Sequence, residues 1–321
     1  MDNILVINLD HDTAKWEATQ KEFQSVGHNP TRISATYGKT MNTEERVQYT
    51  SPWCRWFCTD AIIGCGSSHL RCWEHMVQHN MNWVLICEDD IVLTDNFNEK
   101  MQTLLHRLET EQDDWDMVYL YCIGLCTSSG LISNLETVST DEQMTLFRPT
   151  FPTSTASYLL SRRGAEKLIQ LNQKVRFHID IQIAFSTLFK GMNIMAVYPY
   201  FVTTSYEDSA TSSSDSFIVS RSLNFKPEPN HPTMAWNFSE NIIHFPGIDV
   251  ALNGTDIVFF LVFWKLRDWI QAQCPTIDYK ILITIFLLID HYVLGNSSLT
   301  KVFKKIMFHV GLLMWLESKN M

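Results

Sequence analysis

Glu88, Asp89 and Asp90 are three adjacent carboxylates inside "WVLICEDDIVL", residues 83–93. Five apolar residues lead straight into them. Like charges side by side repel, and buried carboxylates with no partner are strongly unfavourable. A cation, a partner side chain or solvent must offset them. Hard divalent cations such as Mg²⁺ and Mn²⁺ prefer oxygen ligands, and Mg²⁺ typically takes one or two carboxylates plus substrate phosphates. Metal binding is one use of such a triplet. The other is a solvated strand end, since short acidic clusters are common.

The flanking elements decide where the triplet stands. "ILVINL" (residues 4–9) reads as a buried strand that ends near Asn8 and Asp10. Asp12 or Thr13 caps a helix with Trp16, Thr19, Phe23 and Val26 on one face, and Gly27 ends it. "TRISATYG" (31–38) is a short second strand. Residues 39–63 read as irregular and aromatic. "GCGSSHLRCWEHMVQHN" follows as a glycine turn, a serine cap and a helix. The triplet's own strand, a helix after Thr94 or Asp95, the strand "DWDMVYLY", a strand–turn–helix in "STASYLLSRRGAEKLIQL" and a late strand in "MNIMAVYPYFVTT" complete the alternation. Such alternation predicts an α/β fold with a mainly parallel sheet flanked by helices. Ligands in such folds sit beyond the carboxyl ends of the strands, which is where the triplet lies.

Six stretches occur in one order: "INLD", "RISATYG", "GCGSSHLRCW", "ICEDDIVL", "DWDMVYL" and "TASYLLSRRGAEKL". Together, over about residues 3–205, they resemble glycosyltransferase family 25, which includes lipopolysaccharide and procollagen galactosyltransferases. The resemblance implies a GT-A-type fold, a UDP-sugar donor and a bound Mn²⁺ or Mg²⁺. Glu88–Asp90 would be the DXD-type motif, with Asp90 the main metal ligand and Glu88 or Asp89 supporting metal or ribose. His244 in "NIIHFPG" becomes a candidate third ligand, set against a simple loop histidine beside Pro246.

The same resemblance places Ser68 and His69 near the donor. Read as a helix start, they would sit beside exposed N–H groups that favour anions, or Ser68 would merely cap. Asn8 and Asp10 could meet the uracil or ribose. Inverting transfer needs a base for the acceptor hydroxyl, with the metal helping the diphosphate leave. Asp180 in "FHIDIQIAF" and Asp116 in "DWDMVYL" are the candidates; helix capping and a structural acceptor role are their respective alternatives. The implied activity moves a hexose, galactose or glucose, from a UDP-sugar to a hydroxyl on a glycan or protein acceptor. The rival readings are a non-catalytic sugar-nucleotide- or glycan-binding protein and a peripheral membrane scaffold acting through the C-terminal helices.

Composition limits the rest. The net charge of -10 argues against general nucleic-acid binding, which shows as a basic face. The first residues do not read as a signal peptide, and no stretch of some 20 apolar residues predicts a membrane span. Eight cysteines without paired CxxC motifs suggest a reduced, cytoplasmic protein. The character changes near residue 251, which predicts a transferase domain over 1–250 and an apolar helical region over 251–321. That region holds seven basic and five acidic residues, so the remainder carries -12. Its helices, around 255–272, 278–294 and 299–317, are expected to pack on the catalytic domain or a second copy, or to rest on a membrane surface.

Overall fold

The computed structural model describes residues 3–110, 114–125, 136–141, 144–149, 151–204, 241–245, 247–248, 250–273, 275, 278–289 and 298–319. The chain forms two compact units: the first contains 1–55 and 60–209, the second 56–59 and 235–321.

The first unit opens with β1 (Ile4–Asn8), α1 (Thr13–Ser25) and β2 (Thr31–Ser34). Every residue of β1 is buried, as its apolar run requires. Gly27, at φ 81°, takes the left-handed turn after α1 that a side chain would disfavour. Residues 39–63 are not irregular. They hold α2 (Thr43–Tyr49), α3 (Pro52–Phe57) and the start of α4 (Asp60–Gln78). Asn42 and Glu45 form a reciprocal capping box at α2, and Pro52 takes the first position of α3. Both signals are present in the sequence.

β3 (Trp83–Glu88), β4 (Ile91–Leu93), α5 (Phe97–Thr110), β5 (Met117–Tyr119) and β6 (Ile123–Leu125) follow. Next come β7 (Glu136–Thr140), β8 (Thr145–Arg148), β9 (Phe151–Thr153), β10 (Ser157–Ser161) and α6 (Arg162–Leu171). The unit's last described elements are α7 (Ile179–Lys190), β11 (Ile194–Tyr198) and β12 (Val202–Thr204).

Eight strands form the central sheet in the order β2-β1-β3-β10-β5-β11-β8-β7. β1 pairs in parallel with both β2 and β3, and β11 in parallel with β5. β10 runs antiparallel between β3 and β5, and β8 opposes β11 and β7. The sheet is thus largely parallel in strand direction, with β10 and β8 reversed. The reversal of β10 matters for the site, because its first residue stands level with the last residues of β3.

Besides residues 56–59, the second unit holds a hairpin, β13 (Asn241–Phe245) and β14 (Val250–Asn253). It continues into α8 (Gly254–Gln273), α9 (Tyr279–Leu287) and α10 (Leu299–Lys319). The three helices lie close to the segments expected. The change of unit falls before the hairpin rather than at residue 251. Tyr279, Ile283, Leu287 and Leu313 form a buried core with Phe260, Phe263 and Ile306 packed against it. Lys305 is buried and paired with buried Asp256 at 2.7 Å. No helix among the described residues is long and apolar enough to cross a membrane. The polar loop expected over 205–216 lies outside the described residues.

Cys54, Cys58 and Cys122 are disulfide-bonded, while Cys65, Cys72 and Cys87 are thiols. This departs from the expectation of a fully reduced chain and removes the cysteine argument for a reducing compartment.

Candidate active site

The parallel strands β1, β2 and β3 end side by side, and their last residues are Asn8, Ser34 and Glu88. The acidic triplet turns away from the sheet at that edge. The Asn8 amide donates to Asp89 Oδ2 and to the Asp12 carbonyl, while its Oδ1 accepts from Arg32 Nε at 2.8 Å. Arg32 also faces Asp10 at 3.6 Å, and Ser34 donates to Asp10 at 2.8 Å. Thr19 on α1 donates to the Asp89 carbonyl at 2.7 Å. Asn8 and Asp10 are gathered beside the triplet through Arg32, which the sequence reading did not single out.

Glu88 meets a second set of partners. Thr155, in the short loop before β10, donates its hydroxyl to Glu88 Oε1 at 2.6 Å. His69 Nε2 lies 3.4 Å from the same oxygen, and His69 Nδ1 lies 2.9 Å from the Tyr158 hydroxyl. Trp73 donates its indole N–H to that hydroxyl at 2.9 Å. His69, Trp73 and Tyr158 are all fully buried. A line of hydrogen bonds thus runs from the core to the carboxylate.

The three acids respond differently. Burial opposes ionisation of Glu88, but the hydrogen bonds of His69 and Thr155 and the charge of Lys15 hold its carboxyl below the usual range. Burial raises Asp89 despite the Asn8 amide. Burial, then the charges of Glu88 and Asp89, push Asp90 up to about 7. A carboxyl driven so far toward its neutral form by its neighbours is one that a divalent cation would restore to its charged form. The donor set of this edge, all carboxylate oxygen, fits Mn²⁺ or Mg²⁺.

Ser68 and His69 do not begin a helix. They sit in the interior of α4, whose first residue is Asp60, so no N-terminal N–H groups are exposed there. Ser68 is buried, donating to the Gly64 carbonyl at 2.7 Å and accepting from the Thr36 N–H at 2.8 Å. The helix runs through Gly64 and Gly66 because their lack of a side chain is needed. A Cβ on Gly64 would stand 2.6 Å from the Thr36 carbonyl oxygen, and one on Gly66 2.6 Å from Val175. His69 reaches Glu88 from inside the fold rather than through an anion site.

The two candidate bases are at opposite ends of the sheet. Asp116 precedes β5 at the far edge, fully buried. It is held by Arg163 at 2.8 Å, Lys167 at 2.6 Å and the Asn193 N–H at 2.8 Å. Its role there is structural: it ties β5, α6 and β11 together. Asp180 is in the first turn of α7, whose cap position is His178. Its Oδ2 accepts from the Ser154 N–H at 3.2 Å, and Ser154 carries an unusual φ of 84°. Thr155 follows immediately, so one short loop touches both Asp180 and Glu88. His244 lies on β13 opposite Ala251, in the second unit, and its side chain is outside the described residues. A cavity lined by Trp83, Trp115, Arg162 and Arg163 opens at the far edge and holds none of the expected site residues except through Asp116's partner Arg163.

Thr155, Tyr158, Trp73 and Arg32 were not anticipated as site residues. "TASYLL" and "RISATYG" contain three of them, yet nothing local tells a strand threonine or tyrosine from one aimed at a site on another strand.

Residues 1–183 match the family model described as glycosyltransferase family 25 (LPS biosynthesis protein). Procollagen galactosyltransferase 1-A of Xenopus laevis is 27% identical over 54% of this chain and 29% of its own. A probable inactive glycosyltransferase 25 family member 3 of Rattus norvegicus is 28% identical over 43% of this chain and 24% of its own. The chain thus spans less than a third of the length of these curated relatives. Among solved structures, an active-site mutant of LgtC has a TM-score of 0.33 and 13% identity, covering 61% of this chain and 72% of that one. With more than half of its residues inside the family model and its acidic edge assembled from the matched part, this chain belongs to glycosyltransferase family 25.

Proposed function

We propose that the chain is a metal-dependent, inverting glycosyltransferase. It moves galactose or glucose from a UDP-sugar to a hydroxyl of a glycan or protein acceptor. The observation that carries the reading is the Glu88–Asp89–Asp90 edge, with Asp90 pushed up to about 7 by burial and by its two neighbours. Asp90 and Glu88 would hold Mn²⁺ or Mg²⁺. The ion would act as a Lewis acid toward the departing diphosphate.

The protein groups supply the rest. Asn8, fixed by Arg32 and Asp89, and Asp10 beside it face the nucleoside. Lys15, whose charge already favours the ionised triplet, would attract an anionic donor. Asp180, tethered to the loop that also holds Glu88, takes the acceptor proton. General-base help of this kind is typically worth about 10²–10⁴ in rate.

A panel of UDP-sugars with Mn²⁺, read as UDP release, tests the reading. Release with one UDP-hexose, lost in Asp90→Ala while the variant stays folded, supports it. Unchanged Mn²⁺ and UDP affinity in Asp90→Ala would sink the metal role. The relatives named as inactive favour one second reading, a sugar-nucleotide-binding protein. It predicts tight UDP-sugar binding with no release. For the second unit, the outward Leu261, Trp269, Phe303 and Trp315 favour contact with a second copy or a membrane surface. Vesicle sedimentation and light scattering separate those two.

A further inference from the structure

Residues four apart on a helix share one face, and α4 presents Cys65 and His69 in that way. The end of β3 brings Glu88 to the same place. One ligand atom from each of Cys65, His69 and Glu88 lies within 4.8 Å of the other two. His69 Nε2 and Glu88 Oε1, at 3.4 Å, are separated by about the edge of a tetrahedron built on metal bonds of about 2.0–2.1 Å. The second nitrogen of His69 is bonded to Tyr158, itself fixed by Trp73. Metal-ligating histidines show this same support behind the ring, which sets the tautomer and the ring's orientation.

Cys54, Cys58 and Cys122 are disulfide-bonded, yet Cys65 remains a thiol. Cys72 and Cys87 are also thiols but are fully buried, whereas Cys65 is half-buried. The Glu88 side chain is 33% exposed, which leaves room for a water on a bound ion. One thiolate, one imidazole and one carboxylate suit a borderline-soft cation, not the hard cations that the all-oxygen edge suits.

We propose that Cys65, His69 and Glu88 form a binding site for a Zn²⁺-class cation, separate in chemistry from the carboxylate edge although it shares Glu88. Binding displaces the Cys65 proton and selects the His69 tautomer that donates from Nδ1 to Tyr158. The assignment does not depend on the sugar-transfer reading, because it concerns an ion alone.

The test uses the full chain, stripped with chelator and titrated with Co²⁺ without nucleotide. A near-ultraviolet thiolate-to-cobalt absorption that rises to one equivalent and is displaced by Zn²⁺ is expected. Cys65→Ser should abolish that band. Tyr158→Phe should keep it but weaken affinity by about 10–100-fold. As a check free of variants, Zn²⁺ should protect Cys65 from alkylation in the wild-type chain, read by peptide mapping. Absence of the band in the wild type, its survival in Cys65→Ser, or alkylation of Cys65 unaffected by Zn²⁺ would each overturn the site.

Discussion

Replacing Asp90 with asparagine should stabilise the metal-free protein, and more so as pH rises. The carboxyl keeps its proton up to about 7 in the folded protein, against the usual 3.8. Between those values the folded state binds more protons than the unfolded chain, so stability falls as pH rises through the window. At about 1.4 kcal/mol per pH unit, ionising Asp90 above pH 7 costs the folded state about 4 kcal/mol. Glu88 and Asp89 share the repulsion and the edge is partly wet, so the expected gain for Asp90→Asn at pH 8 is about 2–3 kcal/mol. Near pH 3 the gain should vanish, because the aspartic acid is then mostly protonated in the folded and the unfolded chain alike, and asparagine is neutral in both. Urea titrations of both proteins with chelator at several pH values measure it. Added Mn²⁺ should then stabilise the wild type and leave the variant nearly unchanged. A stability difference that does not vary with pH, or equal Mn²⁺ stabilisation of both, would refute the reasoning.

Asp180→Asn should slow transfer by about 10²–10⁴ at saturating acceptor while barely changing UDP-sugar affinity; a near-wild-type rate would remove Asp180 as base. Asp116→Ala should instead lower the stability read from denaturation by about 3–5 kcal/mol, since it strips a buried carboxylate from Arg163 and Lys167. Asp256→Ala leaves Lys305 buried without its partner, which should cost about 3–5 kcal/mol and be visible as early melting of the helical unit.

Much of the framework was legible in the chain itself. The apolar runs of β1 and β3, the turn-bounded β10 and the long helices of the second unit follow from local periodicity. The acidic triplet announced its place because a strand that ends in carboxylates exposes them at the sheet's carboxyl edge. The order of family motifs carried the family.

What the local pattern could not carry were the long-range choices. The insertion of β10, reversed, between β3 and β5 has no local signature, yet it alone delivers Thr155 and Tyr158 to Glu88. Gly64 and Gly66 read as a turn because glycine usually breaks helices. Only the approach of Thr36 and Val175 explains why they sit inside one, and that moves Ser68 and His69 from a helix start to its interior. Asp116 and Asp180 look alike in sequence, each an acid in an apolar setting. Strand direction separates them: one is before β5 at the far edge, bound by two cations, and the other is at the loop that holds Glu88. Burial is encoded residue by residue along the chain, whereas the partner that each buried polar group meets is decided by which strands lie side by side.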